Sequence, residues 1–323
     1  MYRLQLNMMD NLNTTITLDP LLFRDYLEET EDALNELSDL SRDEEIEGQG
    51  LLESIEVIPV KVGERKEVVA CDASVIQVAE YPRGHVLAMR GAVVKRSGDE
   101  VSATLMGPFL KVVRFTSLQR SAGLEEVKRE VLAAFEQRVR AFAVSAVRGG
   151  ITLFDASLSQ PYDDPNAFEW SSLLRTAAMN NNVVMSFSKE SDLIIDGWSL
   201  RSIGTALRPP VVVRLPVSLL HSSSFRFWGD VYVSRLSAKL FPFRVDVYPV
   251  GACVDESFSS LLASDALIYG YPETLALAHA LCTFRWSEVV SIQRVLSERL
   301  RTTVTESLNP RSVIFSPFEG RET

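Results

Sequence analysis

Cysteine and histidine are scarce in this chain, with three of each among 323 residues. Cys71, Cys253 and Cys282 lie far apart and form no CxxC pair, which argues against a zinc knuckle and a disulfide framework. All three sit in apolar contexts and are expected as small core residues without a catalytic thiol signature. No apolar run reaches the ~18–20 residues that span a bilayer. Met1 to Asn13 holds one basic residue and no long apolar segment, so no secretory signal is read and a cytosolic location is expected. No internal repeat is apparent. The hydrophobic share of 46% with 24% charged residues is ordinary for a soluble globular protein with one sizeable core.

Net positive charge is also lacking, and the net charge of −10 looks wrong for a protein that meets a polyphosphate. Its location changes that reading. From Glu28 to Glu53 there are eleven acids against the single base Arg42, so the rest of the chain is neutral. A neutral body can carry a local basic groove, whereas a uniformly acidic one repels phosphate. The acidic stretch itself reads as a solvated helix face or a linker.

The spacing of Leu21, Leu22, Tyr26, Leu27, Ala33, Leu34, Leu37 and Leu40 predicts a helix over 18–41, with Asp19 as N-cap and Pro20 at its first position. Gly48-Gln49-Gly50 breaks the chain, giving an acidic helical extension over 1–50 and a main domain over 51–323. Valine-rich alternating segments at 68–72, 75–80, 85–95 and 101–115 predict an antiparallel meander. A helix over 124–147, a strand at 151–155, a helix over 167–181, a strand at 183–187 and a helix over 191–206 follow. That alternation argues for strands added in parallel, the order of a ribonuclease H-like α/β fold. Strands at 211–215, 225–234 and 241–249 come next, then helices over 255–267 and 272–300, the latter broken near Arg285-Trp286-Ser287.

Two phrases concentrate the chemistry. Val68-Val69-Ala70-Cys71-Asp72-Ala73-Ser74 and Ile151-Thr152-Leu153-Phe154-Asp155-Ala156-Ser157 each read as a buried strand ending on Asp-Ala-Ser. The helix between them carries Glu130 and Glu136. Carboxylates from two strand ends and a helix can converge on one point, where their repulsion is relieved by a divalent cation. That arrangement suggests metal-assisted phosphodiester hydrolysis. Taken singly, Asp155 also reads as a turn or cap residue, and His279 as a core residue beside the apolar face of its helix.

Taken in order, Asp72-Ala73-Ser74, Asp155-Ala156-Ser157-Leu158, Ser186-Phe187-Ser188-Lys189 and Tyr271-Pro272 with Leu275 and His279 resemble the NurA nuclease family, over roughly residues 50 to 300. The resemblance implies a ribonuclease H-like domain, a homodimer and manganese-dependent DNA degradation. It also implies partnership with the hexameric HerA translocase in DNA end resection. Asp72 and Asp155 match the family's two metal-binding aspartates. Glu136 best matches its helical glutamate, with Glu130 as the alternative. Six residues rotate a helix direction by about 240°, so the two cannot both face a metal. His279 matches the late histidine, for metal binding or for protonating the leaving oxygen. Lys189 is placed to contact the scissile phosphate, and Tyr232 is chosen as the tyrosine expected on a later strand.

The implied activity is an exonuclease, with single-strand endonuclease cleavage as well, using Mn²⁺ or Mg²⁺ on oxygen ligands and imidazole. The alternative is a catalytically inactive NurA-like dimer that docks on a HerA-type ATPase. One departure bears on that choice: the family has Gly where this chain has Ala73 and Ala156, which matters only if those positions need positive φ. Phe225, Phe227, Trp228 and Tyr232, interleaved with Arg226, suit either stacking on unpaired bases or core and dimer contacts. Arg285, Arg294, Arg299 and Arg301 form a basic helix that reads as a DNA or partner face, or as a solvated one.

Overall fold

Val68, Val69, Ala70 and Cys71 are at most 3% exposed, so this run is covered on both faces, as a central parallel strand must be. The structure is a computed structural model that describes residues 3–8, 12–17, 56–81, 84–114, 123–162, 167–189, 191, 193–195, 198–205, 207–216, 225–238 and 242–300. The chain divides into two units, Met1–Ser54 and Ile55–Thr323. In the first, β1 (Arg3–Met8) and β2 (Leu12–Thr17) pair antiparallel, with Arg3 opposite Thr17. The extension expected as helical therefore opens as a hairpin. The β-branched run Thr14-Thr15-Ile16-Thr17 favours a strand there. The helix expected over 18–41 lies outside the described residues.

The second unit begins with β3 (Glu56–Pro59), β4 (Val68–Tyr81), β5 (Gly84–Ser97) and β6 (Glu100–Arg114). Next come α1 (Leu124–Ser145), β7 (Ile151–Asp155), β8 (Ser159–Pro161), α2 (Ala167–Met179) and β9 (Val183–Ser188). The short β10 (Ile194–Ile195), β11 (Trp198–Ser199) and α3 (Leu200–Thr205) lead to β12 (Val211–Leu215) and β13 (Phe225–Phe227). The chain continues through β14 (Asp230–Arg235), β15 (Phe243–Tyr248), α4 (Val254–Ser264), β16 (Leu267–Ile268) and β17 (Tyr271–Pro272). Helices α5 (Glu273–Cys282) and α6 (Trp286–Leu300) close the described part.

Nine strands form one sheet in the order β3-β12-β14-β15-β9-β7-β4-β5-β6. β4, β7 and β9 run parallel to one another, while β5 and β6 extend the sheet antiparallel on one side. On the other side β15, β14, β12 and β3 are added antiparallel. The β6-β5-β4-β7-β9 half is the expected ribonuclease H-like arrangement, a meander followed by parallel additions.

Alternation along the central strands separates two cores. Val68, Ala70, Ile151, Leu153, Met185 and Phe187 face a layer holding Phe258 and Leu261 of α4 with Leu275 and Ala278 of α5. Val69, Cys71, Phe154 and Val184 face Phe135, Val139 and Ala143 of α1 and Trp170, Leu173 and Leu174 of α2. In α1 the buried Val127, Val131, Phe135 and Val139 recur every four residues, which gives that helix one apolar stripe. Gly91 of β5 lets it come close: a Cβ there would stand 2.5 Å from Val139 Cγ2.

Three expectations change. The segments 68–72 and 75–80 are one 14-residue strand, so Asp72 lies inside β4 and marks the end of its pairing with β7, not the end of the strand. The helix expected over 191–206 is only α3; a two-strand pairing of Ile195 with Trp198 precedes it, as the β-branched Ile194-Ile195 pair favours. Cys253 is exposed at the start of α4, while Cys71 and Cys282 are buried as expected.

Candidate metal-dependent hydrolytic site

Parallel pairing puts Cys71 beside Phe154, so the next residues, Asp72 and Asp155, come out as neighbours where that pairing ends. Helix α1 lies on β4 and β5 and brings Glu136 to the same place. Asp72, Glu136 and Asp155 line one pocket together with Cys71, Ala73, Val139 and Arg140. Its volume of about 10 Å³ is the space of a single water-sized centre. Glu130 is exposed elsewhere on α1, as the 240° rotation requires.

Each carboxylate is held by a partner. Glu136 Oε2 accepts from Arg140 Nη2 at 2.7 Å, one helical turn on. Arg140 is itself buried, with its guanidinium 4.8 Å from the Trp170 ring centroid and 5.8 Å from that of Phe154. Burial pushes the Glu136 carboxyl above its ordinary range; Arg140 opposes that shift, and the charges of Asp72 and Asp155 add to it. Asp155 Oδ2 accepts from Lys189 Nζ at 2.6 Å, and the ammonium sits 5.2 Å from the Tyr271 ring centroid.

Asp72 Oδ1 accepts the Ala73 backbone N–H at 2.8 Å, and its Oδ2 lies 2.7 Å from His279 Nδ1. The Cys282 thiol donates to the same Oδ2 at 3.5 Å. The Tyr271 hydroxyl is buried without a partner of hydrogen-bond geometry. Burial pushes its pKa up, with further contributions from Asp155 and Asp72.

The donor chemistry fits a hard divalent cation. Three carboxylates share one small pocket, the His279 imidazole is bonded to Asp72, and two of the carboxylates would otherwise depend on Lys189 and Arg140 for charge balance. Neither Ala73 nor Ala156 is among the residues with positive φ, so alanine in place of glycine introduces no backbone strain there.

The structure thus brings together Asp72, Glu136, Asp155, Lys189 and His279. It does not bring Tyr232 to them. That side chain is 1% exposed and packs edge-to-face on Phe258 at 5.9 Å, leaving no ring face for a base. The expected strand over 225–234 divides into β13 and β14, so Phe225, Arg226 and Phe227 leave the main sheet and pair with β8. Arg226 lies over Tyr162 and Trp228, and Trp228 packs partly into the α1–α2 core. A groove of about 490 Å³ runs from Asp155 and Lys189 past Ser188 to Phe225, Phe227 and Arg244. Of the basic C-terminal set, Arg294 pairs with Glu298 on an exposed face, and Arg301 lies outside the described residues.

Sequence reasoning assigned no part in the site to five residues around it. Arg140 stands four residues after Glu136, the spacing of a helical ion pair. Cys282 stands three residues after His279 on one helix face. Arg244 and Asp246 alternate on one strand face, and their buried pair joins at 2.7 and 2.8 Å. Tyr271 was noticed only as part of a phrase.

No family model matches the sequence, and no curated protein does. Solved structures do match. The NurA nuclease from Sulfolobus solfataricus superposes with a TM-score of 0.54 at 14% identity, covering 86% of this chain and 97% of that one. A NurA structure with manganese gives 0.56 at 9% identity, covering 87% of this chain and 98% of the other. NurA bound to dAMP and manganese gives 0.54, also at 9% identity, with coverage of 87% and 98%. What this chain shares with these nucleases is its fold, which here is a mixed α/β sheet of nine strands flanked by helices.

Proposed function

We propose that the chain is a Mn²⁺- or Mg²⁺-dependent DNA nuclease that hydrolyses phosphodiester bonds from DNA ends and within single strands. The observation that carries this reading is that Asp72, Glu136 and Asp155, from three elements, line one small pocket within a NurA-like fold. When bound, divalent cations would supply activation of water and neutralisation of the charge that develops on phosphate. Asp72, Glu136 and Asp155 would hold them, with His279 bonded to Asp72. Lys189, seated on Asp155, is in reach of a phosphate oxygen in the adjoining groove. His279, more than half exposed and anchored on Asp72, is the group placed to pass a proton to the leaving oxygen. Phe225 and Phe227 offer ring faces along the groove on which unpaired bases can stack.

The ordered motifs also support a HerA-type hexameric ATPase as partner and a homodimer as the working form. Leu105, Phe109, Leu110 and Val112 of the edge strand β6 are each about half exposed, which suits a contact with a second copy. No helix among the described residues is long and apolar enough to cross a membrane.

The test is purified protein with end-labelled single- and double-stranded DNA. Mn²⁺ gives short products and EDTA stops their formation. DNA left intact in Mn²⁺ and Mg²⁺, by protein that still stimulates a HerA-type ATPase, establishes the adaptor reading instead.

Arg140 is a positioning residue. Arg140→Met keeps much of its apolar contact with Trp170 but releases Glu136. The Mn²⁺ concentration for half-maximal rate is expected to rise ~10–100-fold, the usual effect of losing a residue that orients a metal ligand. A fall in rate at saturating Mn²⁺, with no change in metal dependence, contradicts that role.

A further inference from the structure

His279 and Cys282 stand three residues apart on α5 and project from one helix face toward β4. Ligand atoms of Asp72, His279 and Cys282 all lie within 4.8 Å of one another. The Cys282 thiol is 3.5 Å from Asp72 Oδ2, and His279 Nδ1 is 2.7 Å from that same oxygen. Zinc bonds of ~2.0–2.3 Å to oxygen, nitrogen and sulfur in a tetrahedron put such ligands about 3.3–3.6 Å apart. The sulfur–oxygen distance already meets that spacing, and the nitrogen–oxygen pair needs to open by about 0.6 Å.

The frame around these ligands is fixed. Leu275, Ala278 and Cys282 bury one face of α5, and the Ser74 hydroxyl on β4 donates to the Cys282 carbonyl. His279 is the open side: its side chain is 55% exposed, leaving solvent access for a water as fourth ligand.

We infer that Asp72, His279 and Cys282 form a zinc site that overlaps the hydrolytic centre and silences it when filled. This rests on the nuclease reading only for its effect on rate; the site itself rests on the three side chains. A thiolate, an imidazole and one carboxylate form the donor set of zinc, whereas Mg²⁺ and Mn²⁺ favour oxygen. Zinc also stands above Mn²⁺ in intrinsic affinity for such ligands. Its binding releases the thiol proton to buffer and takes Asp72 and His279 away from the hydrolytic cation. Cys282 thereby makes the centre sensitive to the kind of divalent ion present.

The experiment uses the full chain, with Co²⁺ as a spectroscopic probe and Zn²⁺ as ligand and inhibitor. Co²⁺ should produce thiolate-to-metal charge-transfer absorption that one equivalent of Zn²⁺ removes. The band should be absent in Cys282→Ser and Cys282→Ala and retained in Cys253→Ser, whose thiol is exposed far along the chain. In the nuclease assay, the Zn²⁺ concentration that halves the Mn²⁺-supported rate should be at least tenfold higher in Cys282→Ser than in wild type. Each protein is referred to its own zinc-free rate. No charge-transfer band in the wild type, or equal zinc inhibition in both proteins, overturns the inference. A protein that shows the band and its loss in Cys282→Ser but never cleaves DNA retains the zinc site and loses the nuclease reading.

Discussion

Asp72→Asn is expected to lower Mn²⁺-supported DNA cleavage on the order of 10³-fold or more, the scale of removing a preorganised charge from a phosphoryl-transfer centre. The substitution keeps shape and the acceptor that Ala73 N–H uses at Oδ1. It removes the negative charge that Glu136 feels across the pocket. Asparagine is a poor ligand for a hard cation, so neither Mn²⁺ nor Mg²⁺ should rescue the rate. Stability should be unchanged or slightly raised, because one of three mutually repelling carboxylates has gone. Rates at saturating metal and a thermal melt of both proteins check the pair of expectations. Residual activity above a tenth of wild type, with an unchanged melt, would show that hydrolysis does not depend on Asp72.

Arg244→Ala is expected to cost about 3–5 kcal/mol of folding stability at neutral pH, because it strands a buried carboxylate. The two side chains are 5% and 1% exposed, and Asp246 Oδ2 also takes the Leu158 N–H at 2.6 Å. That last bond anchors the chain just after Asp155, so the loss should loosen the site as well as the core. Burial pushes the Asp246 carboxyl above its ordinary range even with Arg244 present, and removing the guanidinium pushes it further.

A carboxyl whose folded pKa is raised contributes stability below its unfolded value, near ~3.9, and loses it as pH rises through the folded value. The deficit of Arg244→Ala against wild type should therefore shrink as pH is lowered from 7 toward 4. Arg244→Met with Asp246→Asn removes both charges yet keeps an acceptor for Leu158, and should recover much of the loss. Denaturant unfolding at the two pH values measures both. A deficit that does not vary with pH means that the Asp246 charge is not its cause.

Much of the fold could be read from local pattern. The uninterrupted apolar runs at Val68 and Ile151 announced buried strands, and the stretch over 124–147 between them announced a helix. The two aspartates follow from this, since each closes such a run. Where local signals were mixed, the reading failed. Ile194-Ile195 favours strand against an otherwise helical spacing, and between β13 and β14 stands Gly229, where a Cβ would meet the Val247 carbonyl oxygen at 2.4 Å. Tyr232 looked like an available aromatic ring. Alternation tells only which residues share a strand face, and α4 packing on that face made it core.

By itself the sequence determined which acids close the buried apolar runs, that Glu130 and Glu136 cannot face the same point, and where α5 begins. These are consequences of fixed backbone periods, set by steric limits that act over a few residues. Tertiary structure alone decided that Glu136 is the one turned inward and that Ala73 and Ala156 sit without strain. It also decided that Lys189 and Cys282 reach Asp155 and Asp72. Those outcomes depend on side chains as much as 210 positions apart, as with Cys282 and Asp72, meeting within 3.5 Å. Such meetings are set by how helices and sheet close on one another to bury apolar surface, which no local spacing encodes.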